Sequence, residues 1–359
     1  MSIFPRMNQR QKIILPIRSN LSNIPEHTEI LTNTQISSIE DGPTVVARYR
    51  NLTIGAGATL TTSNRCCGLV LVVDGDLIVE STASISMAAR GAFFAPTVNH
   101  KIKNNLFATK DIIYKIDIPA TANEIADFLK KEKRRYTSFD ELPAIYRPTF
   151  QTLPDMPAIL GEVNLVGGAG AAKVTSSTST AGIAGSNGTD RSCGGGGSGS
   201  ARFTSSGAGA AGTCYSGGAG GGGGAQIAGA TAGALYGGAG GNAVADTYGA
   251  GGGAGNPGGT GAGADGTKGS DGTGGLLIIF CTGQITVKIN GSINCNGSRG
   301  GGGNNVGGGG SGGGSLNIFY NLLENKGTIS ANGGAGGAGG ARIGGNGGNG
   351  CVTLDQFNF

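Results

Sequence analysis

The sequence predicts a mainly β chain in which β-helix-like or β-layer rungs carry a bundle of polyglycine II helices, with one small helical insert. Three observations predict it. A strand-rich segment recurs, as "GLVLVVDGDLIVESTASISMAARG" at 68–91, "GLLIIFCTGQITVKINGSINCNGSRG" at 275–300 and "GSLNIFYNLLENKGTISANGG" at 314–334. Only 6 of the 74 glycines precede residue 161, so glycine is confined to the back of the chain. And at 333–350 that glycine falls in a period of three, Gly-Gly-Ala giving way to Gly-Gly-Asn.

Residues 1–50 read as an N-terminal anchor segment, with strands suggested at Ile13 to Ile17 and Thr44 to Ala47. Met1 to Asn20 carries Arg6, Arg10, Lys12 and Arg18 but no apolar run of useful length, so no secretory signal is expected. No stretch approaches the ~20 apolar residues of a membrane span, so no membrane insertion is expected.

Residues 51–91 form the first β portion. Runs of Val, Ile, Leu and Thr are broken by Gly and Asp, as at Asp74-Gly75-Asp76. Aligning the copies puts Ile85, Ile293 and Ile329 in one column. Met87, Cys295 and Ala331 take the next inward position, two residues on. Cys351-Val352-Thr353-Leu354 reads as the start of a fourth copy. A unit of this size cannot bury its own apolar face and must stack on its neighbours.

Residues 92–160 read as an insert. In "TANEIADFLKKEKRRY", Thr121 and Glu124 have capping-box spacing, and Ile125, Phe128 and Leu129 make an apolar stripe. Lys130, Lys131, Lys133, Arg134 and Arg135 crowd the C-terminal end, where a helix dipole favours cations. They read as a solvated helix end or as a docking patch for an acidic partner. Four prolines, Pro143, Pro148, Pro154 and Pro157, keep the chain extended beyond it.

Residues 161–274 read as the glycine-rich bundle, and 275–359 as a second β portion with two shorter glycine-rich excursions. A polyproline II thread has three residues per turn and no internal hydrogen bonds, so its amides must find partners on neighbouring threads. Close packing then demands bare backbone on the packed faces and leaves side chains only on the outward one, which is a Gly-Gly-x period. "SNGTD", "GNPGG" and "GADGTKGSDG" supply turn chemistry.

The residues argue for no chemistry. Seven cysteines include no C-x-x-C pair, and the histidines are only His27 and His100, so no zinc site or redox motif is expected. Most of the thiols read as small core residues; Cys193 and Cys214 are the pair to inspect for a bridge. "GGAGAAKVTSS" fails the phosphate-loop spacing around Lys173, and Asp265 and Asp271 lack the G-G-x-G-x-D series of calcium-binding repeats. No enzyme activity, cofactor or metal is expected. A net charge of +4 gives no reason to expect nucleic acid as a partner.

The combination of "RYRNLTIGAGATLTTSNRCCGLVLVVDGDL", "GGGGSGGG", "KGTISANGG" and "GGAGGAGG" resembles glycine-rich proteins encoded by bacteriophages and prophages. Its glycine region is similar in kind to the tail-fibre tip adhesins of T-even-like phages, over about 161–350. That resemblance implies a polyglycine II bundle on a β attachment portion, with loops at the tip gripping a receptor on the host surface. It implies residence in the virion and contact with other virion proteins through the N-terminal portion and the helical insert. The chain departs from those adhesins in its greater length and in the splitting of the glycine region among β copies. Aromatic residues interrupting the tract, Phe203, Tyr215, Tyr236 and Tyr248, are the candidate receptor contacts. A non-adhesive virion component, such as a head decoration or tail sleeve, is the alternative. A bacterial surface or ice-binding protein is the third, since springtail glycine-rich antifreeze proteins share the helix type.

Overall fold

The structure is a computed structural model. It describes residues 24–41, 45–66, 68–92, 167–175, 179–189, 192–212, 218–234, 238–245, 248–340 and 342–356. Every strand pairing in it is parallel.

The strands build a solenoid. Its first turns are β1 (Thr28–Ile30), β2 (Thr34–Ile36) and β3 (Val45–Tyr49), then β4 (Leu52–Ile54), β5 (Thr59–Thr62) and β6 (Leu69–Val73). Next come β7 (Leu77–Val79) and β8 (Ser84–Ser86), then the long β9 (Leu276–Val287) and β10 (Ser292–Asn294). The last turns hold β11 (Ser315–Asn325), β12 (Thr328–Ser330) and β13 (Cys351–Gln356). One eight-stranded sheet follows the order β1-β4-β7-β9-β11-β13, with β3 and β6 alongside; a five-stranded sheet runs β12-β10-β8-β5-β2.

Like residues stack from turn to turn. Leu69 pairs Leu277, which pairs Leu316, which pairs Val352. Leu60 pairs Ile85, then Ile293, then Ile329, so the isoleucine column read from the sequence is present. The offset between the first and second copies is a constant 208 residues along these ladders. Leu69, Leu71 and Val73 point into the core with Leu277 and Ile279. Val70, Val72 and Ile278, on the alternate positions, are equally buried. Burial of both faces is why these strands read as unbroken apolar runs. Phe280 and Phe319 stack on that second face with ring centroids 4.9 Å apart.

Cys66, Cys281 and Cys295 are fully buried and not disulfide-bonded. Burial pushes the Cys281 thiol up to about 12 and raises those of Cys66 and Cys295 as well. These three are expected to resist a small alkylating reagent at pH 8 until the chain unfolds, as mass spectrometry of labelled protein would show. A thiol raised in the folded state leaves stability intact below the unfolded value of 9.0. Stability is then expected to fall as pH rises from there toward 12, which denaturant midpoints across that range would check.

The chain leaves the solenoid three times at one corner, just after Met87, Cys295 and Ala331, all buried two residues beyond the isoleucine column. It returns at Leu276, Ser315 and Cys351, which lie in register with one another. The described parts of the excursions form extended threads that bond to one another in all directions. In the thread 192–201, consecutive amides address different neighbours and every third addresses the same one. Gly194, Gly197 and Ser200 donate to Gly313, Gly310 and Gly307; Gly195, Ser198 and Ala201 to Ser186, Ile183 and Thr180; Gly196 and Gly199 to Ala210 and Gly207, all at 2.9–3.1 Å. Its carbonyls accept from three further threads: 168–171, 219–225 and 345–351. Six neighbours around one threefold thread is hexagonal packing, with the three-residue repeat of the polyproline II class. The threads 218–226, 249–256 and 306–314 are enclosed in the same way.

Glycine serves here mainly by lacking a side chain. Among the described glycines only Gly57, Gly263, Gly272 and Gly340 have positive φ. In the enclosed threads the direction a Cβ would take points at the backbone of the next thread: from Gly196 to Gly220, from Gly221 to Gly309, from Gly309 to Gly197. A hydrogen there makes a Cα–H···O contact, worth about 0.5–1 kcal/mol; a methyl group would collide.

Where a thread lies at the surface, the third residue changes. Ile343, Asn346 and Asn349 are exposed along 342–350. The asparagines replace an absent neighbour: the Asn346 and Asn349 carboxamide oxygens accept from the Gly336 and Gly333 amides at 2.9 Å, and Asn187 does the same for the Asn349 amide. Asn346→Ala is expected to cost about 0.5 kcal/mol, the low end for a hydrogen bond because water can replace it. Equilibrium denaturation would measure this.

The expected fold class is corrected in one part. It included a small helical insert, but no helix occurs among the described residues, and the fold is mainly β with two parallel sheets. Strand period two and thread period three both send the amide N–H sideways, never four residues back along the chain. The residues on which the helix was expected, 121–135, lie outside those described. A capping box with a short apolar stripe is weak support in any case, since an isolated helix under ~12–15 residues is marginal.

Candidate functional site at the distal end of the threads

The threads have one end at the solenoid and one far from it. The thread 306–314 runs into β11, so its start is distal. Thread 192–201 runs antiparallel to it, thread 218–226 runs parallel to 192–201, and thread 249–256 runs parallel to 306–314. The turns 202–205, 227–229 and 304–305, and Tyr248 before the last of these threads, therefore gather at the distal end.

Large apolar side chains are exposed there: Phe203, Ile227 and Tyr248 at 60%, 57% and 55%. Phe203 adopts φ +67, a left-handed conformation that is costly for a bulky residue. The Arg202 guanidinium lies 4.7 Å from its ring centroid. The turns are tied to one another. The Arg202 amide donates to Ala225, Ala230 to Ser205, and Gln226 to Val244. Arg202 Nη1 donates to Asn305 Oδ1 at 3.2 Å, Asn304 donates to Asp265, and the Ser200 hydroxyl donates to the Arg342 carbonyl.

Of the four aromatic residues singled out from the sequence, Phe203 and Tyr248 are brought to this end. Tyr215 and Tyr236 lie outside the described residues, as do Cys214 and the basic cluster Lys130, Lys131, Lys133, Arg134 and Arg135. Sequence reasoning missed Arg202, Gln226, Asn305 and Arg342. The available signal was that each is a long or amide-bearing side chain interrupting a glycine tract. Nothing in their spacing told that the threads ending in them are neighbours.

Among the described residues, no group of three His, Cys, Asp or Glu side chains is placed to hold a metal. Along the enclosed threads every residue is buried, so they present no side chain to solvent. Within the glycine region, the described residues that can meet a partner are the distal turns and the outermost rows.

The arrangement defines a class of protein, a parallel β-solenoid bearing a hexagonal lattice of glycine threads. No protein-family model, no curated protein and no solved structure matches the chain.

Proposed function

We propose that the chain is a bacteriophage virion structural protein, tail- or fibre-associated, that presents distal turns on a stiff glycine scaffold to a receptor on the host surface. One observation carries this reading: large apolar side chains are exposed together at the distal turns, while the enclosed threads behind them leave no side chain exposed. A scaffold bonded through its main chain lets its turns vary in sequence without disturbing the frame. The reading assigns no catalysis and no cofactor. The resemblance to phage-encoded glycine-rich proteins supplies the virion setting, with other virion proteins contacting the N-terminal portion.

The test is binding of the fluorescently labelled full chain to a panel of bacterial strains. Saturable binding to some strains, reduced by Phe203→Ser with Tyr248→Ser, is expected. Absence of binding to every strain, with residues 24–60 buried against neighbouring subunits in an assembled particle, would favour the non-adhesive virion component. A second reading has one observation in its favour. The outer row of threads 167–174, 206–212 and 230–234 presents Ala169, Ala172, Ala208, Ala211 and Ala232 on its outward side. Such a row suits ice binding, and thermal hysteresis in a cooled solution would detect it.

A further inference from the structure

Three enclosed threads, 192–201, 218–226 and 306–314, are mutual neighbours. At the distal end they terminate in Arg202, Gln226 and Asn305. Each of these carries a buried polar atom without a hydrogen-bond partner: Arg202 Nε, Gln226 Oε1 and Asn305 Nδ2. Arg342, at the start of a thread bonded to two of the three, adds a fourth in its Nε. Gln226 as a whole is only 2% exposed. Seven such atoms occur among the described residues, so more than half sit at this one end. Leaving a buried polar group unpaired costs ~1–3 kcal/mol, and a set of them in one place calls for a common partner.

Their chemistry restricts that partner. Three are donors, two of them on guanidinium groups, and one is an acceptor. Guanidinium groups pair with carboxylates in a fork geometry that a neutral acceptor cannot match. The acceptor needs a donor from the same partner, which a hydroxyl supplies. Beside them stand Phe203, Ile227 and Tyr248, exposed apolar surface of the kind that covers the C–H face of a sugar ring. Asp265 is the acidic side chain described at this end, and Asn304 already donates to it.

We propose that the distal end is a binding site for a carboxylate-bearing glycan, its acid group against Arg202 and Arg342 and its hydroxyls on Gln226 and Asn305. This rests on the receptor-binding reading only for its biological meaning; the chemistry is tested apart from it. Calorimetry on the full chain would use a galacturonate hexamer, a neutral galactose hexamer and inorganic phosphate. The galacturonate hexamer is expected to bind at least about tenfold more tightly than the neutral one, the value of one charge-assisted hydrogen bond. Gln226→Leu is expected to weaken it by about the same factor, and Phe203→Ala should weaken it while leaving the thermal midpoint of the chain unchanged. Equal affinity for both hexamers, complete competition by phosphate, or no binding by folded chain would overturn the proposal; in the last case water pairs the four atoms. Cells bound without galacturonate binding would sink this inference and spare the adhesin reading. Galacturonate bound without cell binding would do the reverse.

Discussion

Gly309→Ala is expected to destabilise the chain by about 3 kcal/mol or more, from a single methyl group. Gly309 lies in one of the enclosed threads, and its added Cβ would stand under 3.0 Å from the carbonyl of Gly197. Overpacking a side-chain core costs ~1–3 kcal/mol because side chains can shift rotamer. Here the obstacle is main chain on every side, so relief requires moving a thread. Moving it strains the bond from the Gly309 amide to Gly222 and the one Gly309 accepts from Ala254, each worth ~0.5–1.5 kcal/mol. Two other glycines separate this from the usual reasons for glycine. Gly57 has φ +76 and nothing within 4 Å of its added Cβ, so Gly57→Ala should cost only the ~1–2 kcal/mol of a left-handed conformation. Gly229 meets only the Ser205 carbonyl, at 3.8 Å, so Gly229→Ala should be neutral or slightly stabilising through the unfolded chain. Urea midpoints for the three variants, at constant slope, would rank them. A Gly309→Ala chain as stable as Gly229→Ala would mean that the threads are not packed as described.

The ranking also shows what the sequence could and could not convey. The isoleucine column was legible because a solenoid repeats its turn, and repeated side chains leave a repeated string. Period three at 333–350 was legible because an outer thread exposes every third residue, and Asn346 and Asn349 mark that face. In the enclosed thread 192–201 no face is exposed, so "SCGGGGSGSA" loses the period even though its bonding keeps it. Which thread lies beside which was not legible at all: main-chain amides are identical, and nothing in Gly197 names Gly310 as its acceptor. The distal end shared that fate. Phe203 and Tyr248 stood out as aromatic interruptions, but the meeting of Arg202, Gln226 and Asn305 depends on the adjacency of three threads up to about a hundred residues apart. The Thr121 to Arg135 signal misled the fold class because it was local, and local propensity is a weak prior.

Hydrogen exchange should separate enclosed threads from edge threads, and at the edge it should carry the period of three. The eight consecutive amides from Gly194 to Ala201 all donate to other threads, and none is at the surface. Opening any of them requires separating threads on several sides, so their protection should approach that of global unfolding. The thread 179–189 lies at the edge of the lattice. There Gly182, Gly185 and Gly188 donate to Ile343, Asn346 and Asn349, while the amides of Ala181, Ala184 and Asn187 have no partner and face solvent. Those three should exchange near the rate of an unstructured chain, orders of magnitude faster than 194–201. Their neighbours at 182, 185 and 188 should be slower. A β-strand at a sheet edge would alternate with period two, and a disordered tract would exchange uniformly, so the pattern discriminates among the three arrangements. Residue-resolved exchange by NMR, or by mass spectrometry with overlapping fragments, would read it. Uniformly fast exchange from 194 to 201 would remove the rigid lattice, and with it the frame on which the distal turns are held together.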